Sequence, residues 1–206
     1  MELTKTNAVL SRLKGYKHTE IGPIPSDWDV KCLGDLGQFL KGKGIKKDEV
    51  VPDGMPCVRY GELYTVYSNK IERTVSFINE STSKESIQLR YGDLLFAGSG
   101  ETKEEIGKSA VILRNDTYAG GDIVIFRTKD IDYHFLGYLS NFTPIQKQKS
   151  LNGQGDAVVH IYSGGLSKVK ILLPPTLSEQ KAIATALSDV DALISSLEKL
   201  IAKKKA

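Results

Sequence analysis

Residues 176–205 read TLSEQKAIATALSDVDALISSLEKLIAKKK. Apolar residues fall at Ile183, Leu187, Val190, Ile194, Leu197 and Ile201, in steps of 4, 3, 4, 3 and 4. That is a 3.5-residue repeat, the seam of a coiled coil. Leu193 and Leu200 widen the stripe on one flank. Thr176 and Glu179 have the spacing of a capping box, and Pro174 and Pro175 precede it, where they interrupt no helix ladder. The spacing predicts one helix running from the Thr176 cap to Lys205, about 43 Å long at ~1.5 Å per residue. Its apolar side folds back on the body of the protein or meets a second helix. Persistence of the repeat over about three heptads favours the second helix.

The rest of the chain sets what that helix is attached to. A length of 206 residues allows one ordinary domain and an extension. Hydrophobic residues make up 40% and charged residues 26%, the balance of a soluble globular protein. The net charge is +3, of which the helix carries +1 (five Lys against four acidic residues) and the body +2. Such a mild basic balance permits a nucleic-acid partner without requiring one, because clustering rather than total charge governs phosphate affinity. Cys32 and Cys57 sit among apolar neighbours and read as two core thiols, and no Cys/His set has metal spacing. No run reaches the ~18 apolar residues of a membrane span, and the start lacks an apolar signal core, so a cytoplasmic protein with no membrane partner is expected.

Residues 1–15 read as a short amphipathic segment stopped by Gly15. Residues 16–28, YKHTEIGPIPSDW, carry Gly22, Pro23 and Pro25 and predict an extended strap with no regular element. From Asp29 to Pro175 short strands alternate with glycine turns. Strands are expected at Val30–Leu33, Cys57–Tyr60, Leu63–Tyr67, Thr74–Ile78, Leu94–Ala97, Ser109–Leu113, Asp122–Arg127 and Val169–Leu173, with an alternating piece at Val158, His160 and Tyr162. Phe135, Leu136, Leu139 and Phe142 have helical spacing, and residues 146–150 would continue that helix. The pattern predicts an α+β globule on a curved, mainly antiparallel sheet, followed by the long C-terminal helix.

Lys41, Lys43, Lys46 and Lys47 lie within seven residues, interleaved with glycines. Flexible ammonium groups suit phosphate contacts, and a solvated surface loop explains them equally well. Catalysis finds no support. Gly98-Ser99-Gly100 lacks the spacing of a nucleophile elbow, Gly42-Lys43-Gly44 lacks that of a phosphate-binding loop, and three scattered histidines offer no triad.

Three stretches resemble the DNA-specificity subunit of type I restriction–modification systems. They are the strap at 16–28, Leu89-Arg90-Tyr91-Gly92-Asp93-Leu94-Leu95-Phe96, and the exit from Ile171-Leu172-Leu173-Pro174-Pro175 into Thr176–Ala184. The resemblance implies a DNA target recognition domain over 16–175 and a dimerisation or spacer helix over 176–206. A full subunit of that family has two recognition domains separated by two antiparallel helices, so this chain looks like a half-subunit, natural or truncated. The resemblance further implies double-stranded DNA and methyltransferase subunits as partners, and a homodimer through the helix seam. It implies no catalysis and no cofactor in this chain. S-adenosylmethionine, ATP and Mg belong to the partner subunits. It favours DNA phosphates for the lysine loop, and it suggests Arg59, Tyr60, Ser99, Thr102, Lys103, Tyr118, Gln154 and His160 as loop residues that read bases. Tyr60, Tyr118 and His160 also fit core positions. A carbohydrate- or peptide-binding module with a dimerising helix, or a small enzyme with an unrecognised site, are the competing readings.

Overall fold

Leu94-Leu95-Phe96-Ala97 is apolar at every position because it is covered on both sides. In the computed structural model, which describes residues 15–155 and 158–205, this strand is the centre of a five-stranded sheet. The elements in chain order are β1 (Tyr16–Thr19), β2 (Gly22–Pro25), β3 (Asp29–Cys32), β4 (Gln38–Lys41), β5 (Val50–Val51), β6 (Met55–Val58), α1 (Glu62–Thr65), β7 (Lys70–Ile71), β8 (Ser76–Ile78), α2 (Glu80–Glu85), β9 (Ile87–Gln88), β10 (Leu94–Ala97), β11 (Ser99–Gly100), β12 (Ser109–Ile112), β13 (Tyr118–Ala119), β14 (Ile123–Arg127), α3 (Tyr133–Ser140), α4 (Thr143–Asn152), β15 (Val159–His160), α5 (Ser163–Leu166), β16 (Lys170–Leu173) and α6 (Leu177–Lys205). The central sheet has the order β4-β14-β10-β12-β7, antiparallel except for β12 with β7. A second sheet, β5-β8-β6-β13-β9, is antiparallel except for β6 with β13.

Alternation along the central strands divides the core. Leu94, Phe96, Val111, Val124 and Phe126 face Phe135, Leu136 and Leu139 of α3. Leu95, Ala97, Ala110, Ile112, Ile123 and Ile125 face the other way, onto Val58, Leu63, Tyr67 and Ala119. The turn before β10 is held by charge. Asp93, almost fully buried, accepts from Arg127 Nε and Nη2, each at 2.7 Å, and from the Arg90 N–H at 2.8 Å. Gly92 at φ +89° has no room for a side chain, since a Cβ would overlap the Tyr133 ring. The 89–96 stretch is thus a charge-locked turn feeding the central strand.

The other two stretches of the family resemblance meet in space. β3 pairs antiparallel with β16, which brings the start and end of the domain to the base of α6. There Trp28 Nε1 donates to Glu179 at 2.9 Å. Gln180, buried, accepts from the Asp132 N–H at 2.9 Å and donates to the Pro174 carbonyl at 3.2 Å. Ile183 and Ala184 pack on the core, and Tyr138 donates to Asp191 at 2.7 Å. Beyond that joint the helix extends away from the body.

Several expectations are corrected. The strap at 16–25 does form a regular element, the β1–β2 ribbon, with Lys17 opposite Ile24 and His18 opposite Pro23. Two prolines two residues apart share one edge of a strand and remove no bond from the other. Residues 63–67, expected as a strand, begin in helix α1. Leu63 and Tyr67 are buried four apart, and the Glu62 carboxylate caps the Arg59 N–H at 3.2 Å, which starts the turn. Asn79 caps α2, its side chain accepting from the Thr82 N–H at 2.9 Å. Tyr118-Ala119, expected between strands, is itself a strand. α4 does not continue α3, because Phe142 is extended and Pro144 cannot accept an added turn before it. Thr176 caps α6 through the Glu179 N–H at 3.1 Å, but the Glu179 carboxylate goes to Trp28 instead of closing a capping box. The segment expected at 1–15 lies, up to residue 14, outside the described residues.

Candidate functional site

The basic loop after β4 is stapled down rather than free. Gly42 N–H donates to the Ile123 carbonyl and Gly121 N–H to the Gly44 carbonyl, both at 2.8 Å. Ile45, in the left-handed region at φ 60°, is buried against Cys57 and Ile78. A side chain at Gly42 would overlap the Gly120 carbonyl, so the glycine is required by close approach. With the backbone pinned, Lys41, Lys43, Lys46 and Lys47 all point exposed side chains outward.

Two adjoining hollows collect the charged and aromatic groups. A cavity of about 550 Å³ is lined by Lys46, Lys47, Arg59, Tyr60, Thr65 and Asp122 among others. Another of about 350 Å³ is lined by Lys41, Phe39, Ser99, His160, Tyr162 and Asp122 among others. Asp122, at φ 58°, stands at the junction of both. Seven of the twelve residues suggested for DNA contact therefore border one continuous surface: Lys41, Lys46, Lys47, Arg59, Tyr60, Ser99 and His160.

Within it the groups differ in freedom. Tyr60 is 40% exposed, and Tyr162 is exposed with its ring stacked on His160 at 6.0 Å. Ser99 is only 5% exposed, and its hydroxyl is hydrogen-bonded to His160 Nδ1 at 2.9 Å. Arg59 is held by Glu62, with Nε donating to the carboxylate at 2.9 Å, and Ser76 donates to the same oxygen at 2.5 Å. Glu62 is 4% exposed, and nothing in its local sequence signals this role, because Ser76 is fourteen residues away.

The remaining suggested residues lie elsewhere. Lys43 is exposed on the same loop but borders neither hollow. Tyr118 is half-buried against Cys57 and Ile78. Gln154 is exposed and joined to His160 by two backbone bonds of 2.7 and 2.8 Å. Thr102 and Lys103 are exposed on the loop between β11 and β12. That loop is clasped by α4. Gln146 donates to the Glu104 and Ile106 carbonyls, Ser150 to the Lys103 carbonyl, and Lys149, with no exposed surface, to the Gly107 carbonyl at 2.6 Å. Burial pushes the Lys149 ammonium down to about 7.

The Cys57 thiol is pushed up to about 12, first by burial and then by Glu62, so it stays protonated. Among the described residues no three His, Cys, Asp or Glu side chains stand together as a metal site. No helix among them is long and apolar enough to cross a membrane.

On the helix, Ile183 is half-buried on the body, whereas Leu187, Val190, Ile194, Leu197 and Ile201 are 41–53% exposed. The stripe therefore divides into a docked first part and an uncovered remainder.

The family model described as "Type I restriction modification DNA specificity domain" matches residues 25–204. Similar proteins include a putative type I restriction enzyme MjaX specificity subunit of Methanocaldococcus jannaschii, 32% identical over 196 residues, covering 91% of this chain and 45% of that protein. The type I restriction enzyme EcoKI specificity subunit of Escherichia coli is 25% identical over 193 residues, covering 87% and 40%. Among solved structures, the HsdS subunit from Thermoanaerobacter tengcongensis matches 96% of this chain and 46% of its own with a TM-score of 0.60 at 18% identity. The S subunit from M. genitalium matches 84% and 41% with a TM-score of 0.58 at 16% identity. Both structures are similar in fold. The chain spans less than half the length of the curated relatives it matches.

Proposed function

Because this chain belongs to the family of type I restriction modification DNA specificity domains, we propose that it is a non-catalytic subunit that reads one half of a bipartite DNA target. The observation that carries this reading is the shared surface around Asp122, where Lys46, Lys47, Arg59 and Tyr60 converge on one cavity beside Lys41 and His160. The lysines contact phosphates and set register, while the fixed side chains between them face base edges.

The uncovered stripe on α6 supports the second half of the proposal. The helix pairs antiparallel with a second copy and holds two recognition domains a set distance apart. Two-fold symmetry then calls for an inverted-repeat target with a fixed gap. Methyltransferase subunits dock on this assembly and supply S-adenosylmethionine chemistry, and restriction subunits supply ATP- and Mg-dependent cleavage.

Filter binding to duplex DNA over a salt series tests the first part. A linear fall of log K with log salt is expected, and a flat line refutes phosphate contact. Co-expression with the cognate methyltransferase subunit, followed by methylation mapping, tests the second. An inverted-repeat bipartite motif supports the self-paired assembly, and an asymmetric motif refutes it.

A further inference from the structure

Arg59 differs from every other cation on this surface in how it is held. It follows β6 directly, and α1 begins three residues later. Glu62, the first residue of α1, turns its carboxylate inward. One oxygen accepts from the Arg59 N–H at 3.2 Å. The other accepts from Arg59 Nε at 2.9 Å and from Ser76 Oγ at 2.5 Å. Both Glu62 and Ser76 are 4% exposed, so the clamp is part of the core while the Arg59 side chain is 35% exposed. The bond to Nε fixes the plane of the guanidinium. The two terminal nitrogens make no hydrogen bond among the described residues and are available to the cavity.

A guanidinium fixed in this way presents paired donors in a rigid fork, the geometry that matches the O6 and N7 acceptors of guanine or two phosphate oxygens. The rest of the cavity separates these two ligands. Lys46 and Lys47 already offer flexible ammonium groups for phosphate. Asp122 lines the same cavity, and its carboxylate has no hydrogen-bond partner among the described residues. A carboxylate repels phosphate but accepts from the N4 amino group of cytosine. A fixed donor fork and a free acceptor on one cavity fit the major-groove edge of a G·C pair and oppose a phosphate.

We propose that Arg59 is a base-reading residue for guanine in the half-site, that Glu62 is its positioning residue, and that Asp122 accepts from the paired cytosine. The assignment rests on the DNA-reading function proposed above and deepens it. The sequence alone offers Arg59 as one of eight loop residues and gives no reason to prefer it, nor any role for Glu62 or Asp122.

Selection of duplexes from a randomised library by the full chain tests the proposal, with wild type, Arg59→Lys, Glu62→Gln, Ser76→Ala and Asp122→Asn compared. Wild type is expected to select guanine at one position of its motif. Arg59→Lys keeps the charge but lacks the fork. It should lose discrimination at that position alone, by roughly 10- to 100-fold, with the salt dependence of binding unchanged. Glu62→Gln and Ser76→Ala should weaken the same preference and leave other positions intact, an outcome that a general loss of stability would not produce. Asp122→Asn should relax the same base pair. If Arg59→Lys weakens all sequences equally, or if no guanine position responds, Arg59 is a phosphate contact and the proposal is overturned while DNA reading stands. If the clamp variants leave the guanine preference at full strength, Glu62 does not position Arg59. If the wild-type chain binds no duplex at all, the DNA-reading function falls, and this assignment with it.

Discussion

Lys149 puts the burial argument to a quantitative test. Its ammonium lies inside the core, one hydrogen bond from the Gly107 carbonyl and 5.5 Å from the centre of the Phe96 ring. Burial lowers its pKa from 10.5 to about 7. A lysine depressed in this way binds fewer protons in the folded chain than in the unfolded chain throughout that interval. Stability therefore rises with pH between about 7 and 10.5, and it falls as pH drops toward 7. One charge contributes at most ~1.4 kcal/mol per pH unit, and between pH 7 and pH 9 the integrated rise is about 2 kcal/mol. Stopping at pH 9 keeps most of the opposing effect of Cys57 out of the window, since that thiol begins to weigh against the fold only above its unfolded pKa of 9.0. Urea unfolding of wild type and Lys149→Met at pH 7 and pH 9 measures the difference. With a slope of about 2 kcal/mol per molar for a chain of this size, the wild-type midpoint should move up by about 1 M relative to the variant. Identical pH dependence in the two proteins would refute the argument and mean that Lys149 reaches solvent in the folded chain.

Three other outcomes are expected. Leu187→Asp combined with Ile194→Asp places carboxylates on the uncovered stripe; if the proposed pairing holds, sedimentation velocity should find a dimer for wild type and a monomer for the variant, and a variant that stays dimeric excludes that stripe as the interface. Lys46→Ala with Lys47→Ala should reduce the slope of log K against log salt by roughly 1–2 and weaken all DNA sequences alike, which filter binding reads directly. Gly92→Ala combines φ +89° with a clash on the Tyr133 ring, and its thermal unfolding should report a loss of about 1–3 kcal/mol; an unchanged melting temperature would show that the turn adapts.

The parts of the fold that were legible in the sequence are those in which a local pattern and the tertiary environment agree. Leu94–Ala97 is apolar throughout because both faces are buried, and Phe135, Leu136 and Leu139 keep helical spacing because one face of α3 packs on that strand. The long helix carries its own periodicity. Local pattern misleads where distant partners decide. Residues 63–67 (LYTVY) have the aromatic and β-branched composition of a strand, yet Glu62 and its partners Arg59 and Ser76 set a helical turn. Pro23 and Pro25 look prohibitive until the register places them on a tolerant edge. The candidate site was partly legible for the same reason. A lysine cluster is visible as composition, whereas the placing of Ser99 beside His160 depends on strand pairing between residues as far apart as 99 and 160. Lys149 gave no signal, since neighbouring glutamines and lysines suggest an exposed helix while Gly107 and Phe96 enclose it.

The bond from Trp28 to Glu179 makes the joint at the base of α6 observable by light. Trp28 is the sole tryptophan, half-buried on the core, and its indole N–H is attached to the first turn of the helix. Its emission reports on that one junction with no background from other indoles. Lifting the first turn would hydrate the ring and shift its emission to the red while the sheets remain folded. A movement that breaks the contact between the first turn of the helix and the body, on adding duplex DNA, would therefore appear as a spectral change in the unlabelled protein.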